Sequence, residues 1–250
     1  MRRLAPAFAA LLCLGAAKPV LVPDVSDSQV QIVYSFTGAD LLLFGAILYP
    51  HGRQPDHPAD VAVVLKGPTR AILVREKQKI AGMWLNADSA RFRSAPTFYA
   101  IASSRPLRQL IDQRTAAIYE LGLDGLQMSP ASGAPPAEQA RFESGLVDLR
   151  RRSGLYVEDG HGVEIREGAL YRARIAIPAR VPVGRYVAET FLIQDGKVVA
   201  GAVRQVEIGK QGFERFVTIA AHRWPFTYGL VAVALSLAIG WGAGALFRRN

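Results

Sequence analysis

The C-terminal run from Pro225 to Phe247 constrains this chain more than any other stretch, because it contains no Asp, Glu, Lys, Arg or His. As a helix rising ~1.5 Å per residue it would extend about 34 Å, enough to cross a hydrocarbon core of ~30 Å with some tilt. Trp224, Phe226 and Tyr228 stand at one end, Trp241 and Phe247 near the other, and Arg248-Arg249 follow. Interfacial aromatics and flanking cations are what a bilayer selects. A buried core helix of this length would keep a polar face, and this run has none. The expectation is a single transmembrane helix over 225–247 with a short tail at 248–250.

The N-terminus carries the matching signal. Met1-Arg2-Arg3 is basic, Leu4 to Gly15 is apolar, and Gly15-Ala16-Ala17 offers small residues before Lys18. That is the three-part pattern of an export signal over 1–17. Cys13 lies inside it, behind Leu12, which is too large for a lipoprotein cleavage site. A chain exported this way leaves 18–222 outside and Arg248-Arg249 inside, which in a bacterium means a periplasmic domain on the inner membrane and a cytoplasmic C-terminus. The lipid bilayer is therefore the first expected partner.

Charge sharpens the reading. The chain carries 30 Lys+Arg against 21 Asp+Glu. Arg2, Arg3, Arg223, Arg248 and Arg249 lie outside 18–222 with no acid among them, so the exported part is much closer to neutral. The basic balance then belongs largely to membrane ends and argues against nucleic acid. Cys13 is the single cysteine, so the exported part has no thiol for a disulfide, a metal or catalysis.

Within 18–104 the pattern is strand-like. Gln29 to Phe36 alternates, with Val30, Ile32, Tyr34 and Phe36 on one face. Leu41 to Tyr49 is a continuous apolar run that predicts a strand buried on both faces. A loop rich in Pro, Gly and His spans 51–58. Val61 to Lys66 and Ala71 to Lys77 read as strands around Gly67-Pro68-Thr69-Arg70, with further strand candidates at Trp84 and over 97–102.

The segment 105–154 changes period. Leu107, Leu110, Ile111, Ile118 and Leu121 predict one helix over 105–121, with Ser104 as cap and Gly122 as stop. Pro136 to Ser153 predicts a second, carrying Phe142, Leu146 and Leu149 on one stripe and Arg150, Arg151 and Arg152 at the end where a helix dipole favours cations. Strands return over 155–209. Tyr171, Ala173, Ile175 and Ile177 alternate against Arg172 and Arg174, and Asp195-Gly196 is a two-residue hairpin signal. Pro182-Val183-Gly184-Arg185-Tyr186 ahead of that hairpin suggests an immunoglobulin-like sandwich. Residues 210–224 predict a juxtamembrane amphipathic helix with Phe213 and Phe216 on its apolar stripe. The expected fold is mainly β: one or more Ig-like β-sandwich ectodomains with an inserted helical hairpin, plus one C-terminal transmembrane helix.

Phe36-Thr37-Gly38-Ala39-Asp40-Leu41, the run Pro178 to Tyr186, and the ending Gly212-Phe213-Glu214-Arg215…Tyr228-Gly229…Gly240-Trp241 resemble the Alph_Pro_TM family of alphaproteobacterial transmembrane proteins over nearly the whole mature chain. The resemblance implies an exported β-rich domain with one C-terminal anchor and no catalytic signature. Genes of the family often neighbour a permease similar to the sulfite-exporter type, and the resemblance thereby suggests such a transporter as a partner.

Candidate sites are few. His51, Asp56 and His57 share one loop and could meet a metal. His161, in Glu158-Asp159-Gly160-His161-Gly162, reads as a turn, and His222 as a residue of the membrane junction. Arg150, Arg151 and Arg152 could dock an acidic partner, and Arg172 and Arg174, with Arg166 nearby, could line an anion site. Gly240 and Gly244 have the spacing that lets transmembrane helices approach closely, for self-association or for a polytopic partner. No nucleophile elbow, phosphate loop or zinc-helix motif occurs, so neither an enzyme nor a cofactor is expected. The expected role is a tethered accessory or interaction protein; the alternative is a tethered periplasmic solute- or metal-binding domain.

Overall fold

The computed structural model describes residues 18–26, 29–32, 38–52, 54–55, 57–131, 133, 135–210, 217 and 220–247. The expected leader 1–17 with Cys13, together with Asp56, Phe213, Phe216, Arg248 and Arg249, lies outside the described residues.

The chain is mainly β. The strands are β1 (Val20–Val25), β2 (Gln29–Ile32), β3 (Gly38–Leu48), β4 (Asp60–Lys66), β5 (Thr69–Ile80), β6 (Met83–Pro96), β7 (Tyr99–Ser103), β8 (Ser129–Pro130), β9 (Tyr156–Asp159), β10 (Val163–Arg166), β11 (Leu170–Pro178), β12 (Gly184–Gln194) and β13 (Lys197–Lys210). The helices are α1 (Leu107–Leu110), α2 (Gln113–Tyr119), α3 (Pro136–Arg152) and the C-terminal α4 (Pro225–Phe247). One sheet has the order β1-β3-β11-β10, a second β2-β13-β12-β4-β7-β9, and a third, β5-β6-β8, carries a long hairpin. Strands from the two flanks of the sequence interleave: β3 pairs with β11, and β4 with β12.

Burial explains the arrangement. β4 is the centre of the six-stranded sheet, and Val61, Ala62, Val63, Val64 and Leu65 are all at 0% exposure. A run apolar at every position survives only where both faces are covered. β11 shows the opposite pattern, with Tyr171, Ala173, Ile175 and Ile177 buried and Leu170, Arg172 and Arg174 outward. The inward sides of β1, β3 and β11 join the β4, β7, β12 and β13 side chains in one core cluster.

Three expectations need correction. β3 is not buried on both faces: Leu41, Leu43 and Ile47 enter the core, whereas Phe44 and Leu48 face outward. Only one side of this sheet has a neighbouring layer, so its other side stays open. The single helix over 105–121 is broken into α1 and α2. Ile111 is extended, at φ −144° and ψ 156°, and the Asp112 carboxylate accepts the Thr115 N–H at 2.9 Å. An Asp satisfies more at a helix start than inside one, so it begins a new helix here. Ser104 caps nothing; its hydroxyl donates to Asp60 Oδ1 at 2.7 Å. Finally, the strand at 71–77 is part of a hairpin of 12 and 14 residues turned by Ala81-Gly82, both at positive φ. α3 matches its expected span, although Leu149 is exposed beside the buried Phe142 and Leu146.

Candidate interaction surface

The outward face of the four-stranded sheet gathers exposed apolar side chains from several strands. Its rows follow from the register. Val20 lies opposite Leu48; Val22, Ala46, Leu170 and Arg166 form the next row. Asp24, Phe44, Arg172 and Glu164 form the row after it. Val20, Val22, Phe44, Leu48 and Leu170 are between 39% and 56% exposed. A shallow hollow of about 400 Å³ opens here over Val22, Phe44 and Ala46, rimmed by Glu164, Arg166 and Arg172. Contiguous exposed apolar side chains bordered by polar ones mark interaction sites on soluble domains.

Gly45 lets this sheet form. It faces inward, and a Cβ there would stand 2.4 Å from the Val22 carbonyl oxygen and 2.6 Å from the Tyr171 Oη. The inward-facing Tyr171 ring therefore occupies the room a side chain at 45 would need.

The charged rim is internally paired. Glu164 accepts from Arg166 Nε at 2.8 Å and contacts Arg172 Nη2 at 2.6 Å. The hydrogen bonds from Arg166 and Arg172 hold its carboxyl below the usual carboxylate range. Both guanidiniums are engaged by Glu164, and Asp24 adds a second carboxylate beside Phe44, so the rim is close to neutral. Arg174 lies one row further along, beside Leu42.

The other sequence candidates are dispersed. His51 falls in a 3₁₀ turn (Pro50–Gly52), and His57 is exposed in the loop that follows. Among the described residues no three of His, Cys, Asp and Glu come together as a metal site. His161 is exposed in the β9–β10 turn, and its N–H donates to Asp159 Oδ1 at 2.9 Å. Arg152 pairs with Asp148, Arg151 is exposed and Arg150 is half-buried. These three arginines, all in the last turn of α3, therefore differ in environment.

A second cluster joins residues that no sequence pattern links. The Lys66 ammonium lies 2.8 Å from Glu120 and 3.0 Å from Glu189, joining the chain after α2 to the six-stranded sheet. Burial acts to lower the Lys66 pKa, but the hydrogen bonds and negative charges of Glu120 and Glu189 together raise it. Nearby, the Tyr99 hydroxyl donates to the Glu120 carbonyl at 2.8 Å and accepts from the Gly122 N–H at 2.9 Å. Lys66 reads as a strand end and Glu120 as a helix end, so no local signal links them.

α4 is a 23-residue helix with no acidic or basic residue in its terminal turns. Over Pro225–Gly244 its mean hydropathy is 1.6 and none of it is buried against the rest of the chain. Trp224 and Trp241 are exposed, and a Cβ on Gly240 or Gly244 would meet nothing within 4 Å. Residues 220–223, just ahead of it, are helical. Such a helix is long and apolar enough to cross a membrane.

No curated protein matches the chain. A family model described as "Putative transmembrane protein (Alph_Pro_TM)" matches residues 20–249. With its β strands and its apolar helix both inside that match, the chain belongs to this transmembrane protein family.

Proposed function

We propose that this protein is a membrane-tethered interaction module. Its β domain, held in the periplasm by α4 in the inner membrane, presents the outer face of the β1-β3-β11-β10 sheet to a membrane partner. The observation that carries this reading is the exposed set Val20, Val22, Phe44, Leu48 and Leu170 on a chain with a helix long and apolar enough to cross a membrane. Water disfavours such a surface, and a neighbouring protein would cover it. A transporter of the sulfite-exporter type is the partner we favour, and Gly240 and Gly244 offer a close helix approach to it inside the lipid.

Two features support an Ig-like fold for the domain. The sheet orders β1-β3-β11-β10 and β13-β12-β4 correspond to the ABED and GFC sheets of an immunoglobulin sandwich. Tyr186, near the start of β12, donates its hydroxyl to the Pro182 carbonyl at 2.7 Å, in the manner of a tyrosine corner. The fold alone does not assign a role, so the reading rests on the surface residues it presents.

A photo-crosslinker placed at Phe44 in native membranes tests the reading. The expected result is a discrete adduct with a polytopic membrane protein, lost on Leu170→Asp and absent when the crosslinker sits at the exposed Ser89. Recovery of uncrosslinked monomer alone would refute the assignment of this face.

A further inference from the structure

The β5–β6 hairpin ends in an exposed apolar tip that the proposed interface does not use. Its last rows pair Gln78 with Leu85, Lys79 with Trp84, and Ile80 with Met83 around Ala81-Gly82. Trp84 is 67% exposed and Met83 61%, with Ile80 and Leu85 also open. Every residue from Ile80 to Ser89 is exposed, so this part stands clear of the body. Lower down, Phe92, Ala90 and Ala95 are buried, and β6 pairs with β8. Arg141 of α3 bridges Glu76 and Asp88 at 3.1 Å and 3.4 Å, where the hairpin register shifts. Beyond that clamp the strands project about 17 Å at ~3.4 Å per residue.

Charge on the projecting part has one sign. Between Lys77 and Asn86 the charged residues are Lys77 and Lys79, with no acid. The acids at its base, Glu76 and Asp88, are occupied by Arg141. Lys79 sits directly opposite Trp84, where a long aliphatic stem can follow the indole inward and return its ammonium to the headgroups. Tryptophan and lysine at the edge of an apolar tip suit an interface with anionic lipid.

The hairpin also leaves the domain at the end from which the anchor departs. It is inserted between β4 and β7, whose pair Lys66–Tyr99 closes the sheet at that end. Lys66 pairs with Val187, and Gly184 at the start of β12 pairs with Ile208 near the end of β13. A Cβ on Gly184 would stand 3.2 Å from the Pro68 ring at the hairpin root. β13 ends at Lys210, and residues 211–224 can cover no more than ~50 Å before α4 begins.

We propose that the β5–β6 tip is a second membrane contact. Ile80, Met83, Trp84 and Leu85 enter the headgroup layer of the bilayer that α4 crosses, while Lys77 and Lys79 bind its anionic phosphates. This rests on α4 spanning that bilayer. The two attachments together fix the tilt of the β domain above the lipid, which one attachment alone would not.

The test uses full-length protein in vesicles of mixed phosphatidylcholine and phosphatidylglycerol whose acyl chains are plain or brominated. Trp224→Phe with Trp241→Phe leaves Trp84 as the only tryptophan. Trp84→Phe with Trp224→Phe leaves Trp241 in the span as the reporter of the anchor. Trp84 should lose about half its emission to brominated lipid, as expected for a side chain ~5–10 Å into the interface. Lys77→Glu with Lys79→Glu should reduce that loss in anionic vesicles more than in pure phosphatidylcholine. Unquenched Trp84 beside quenched Trp241 overturns the proposal and leaves the anchor intact. Unquenched Trp241 overturns the anchor, and the proposal with it. Trp84 unquenched by bromine but shielded from acrylamide would mean burial against protein, which also overturns the proposal.

Discussion

Replacing Tyr99 by Phe removes one oxygen and should destabilise the domain well beyond what a surface change would do. The ring is fully buried and packs edge-on against Tyr156 at 6.2 Å, and Phe keeps that packing. What is lost is the acceptor of the Gly122 N–H and a donor to the Glu120 carbonyl. Both groups belong to the left-handed stretch after α2, with Glu120 at φ 52° and Gly122 at φ 86°. A buried backbone group left without a partner costs about 1–3 kcal/mol, and two partly relaxed ones together about 2–3 kcal/mol. With a urea m-value of about 2–3 kcal/mol/M, the midpoint should fall by about 1 M at unchanged slope. The assay is equilibrium urea unfolding of the full chain in mild detergent, followed by circular dichroism. Tyr186→Phe is the comparison, since its hydroxyl serves only the Pro182 carbonyl among the hydrogen bonds described. If Tyr99→Phe costs no more than Tyr186→Phe, the account of how residues 120–122 are held is wrong.

Two further outcomes follow from the geometry. Gly45→Ala should cost about 1–3 kcal/mol in a thermal melt, because the new methyl meets the Val22 backbone carbonyl at 2.4 Å and the strand must shift. Lys66→Gln should flatten the alkaline limb of the stability curve. The folded-state pKa of Lys66 is raised, so its contribution is complete below the free lysine value of about 10.4 and is lost as pH rises through the elevated folded value. Tyr99, Tyr156 and Tyr186, whose hydroxyls burial pushes up, add an alkaline loss common to both proteins. The difference between the two curves is therefore the quantity to measure, and parallel curves would count against the Lys66 cluster.

How far the fold could be read from the sequence depends on how local each signal is. β11 alternates cleanly, and its inward and outward sides are as the pattern states. Asp195-Gly196 turns β12 into β13 with both residues at positive φ, the conformation this pair favours. The comparable turn at Ala81-Gly82 lacks that chemistry, since Ala is an unfavourable left-handed residue, so the length of its hairpin went unread. Leu41 to Leu48 and Val61 to Leu65 look alike as apolar runs, yet one has an open face and the other none. Only the layers around them make the difference, and those are set by distant pairings. The same reason hid the outer apolar face: it is assembled from Val20, Phe44 and Leu170, which are far apart along the chain. The Arg166–Glu164–Arg172 pairing was invisible as well, because it depends on the β10–β11 register. His57 and His161 have ligand chemistry but sit exposed, in no cluster of three ligand residues among the described residues.

The strand that leads toward the anchor is bonded on both sides. β13 pairs with β12 along most of its length, and its last residues, Glu207 to Lys210, also pair with β2. Were α4 held in a membrane, a pull along β13 would meet these two ladders first. Its backbone bonds would then be loaded together, sideways, and would not open one after another from an end. A pull along β13 would have to shear both ladders before the strand could leave the sheet.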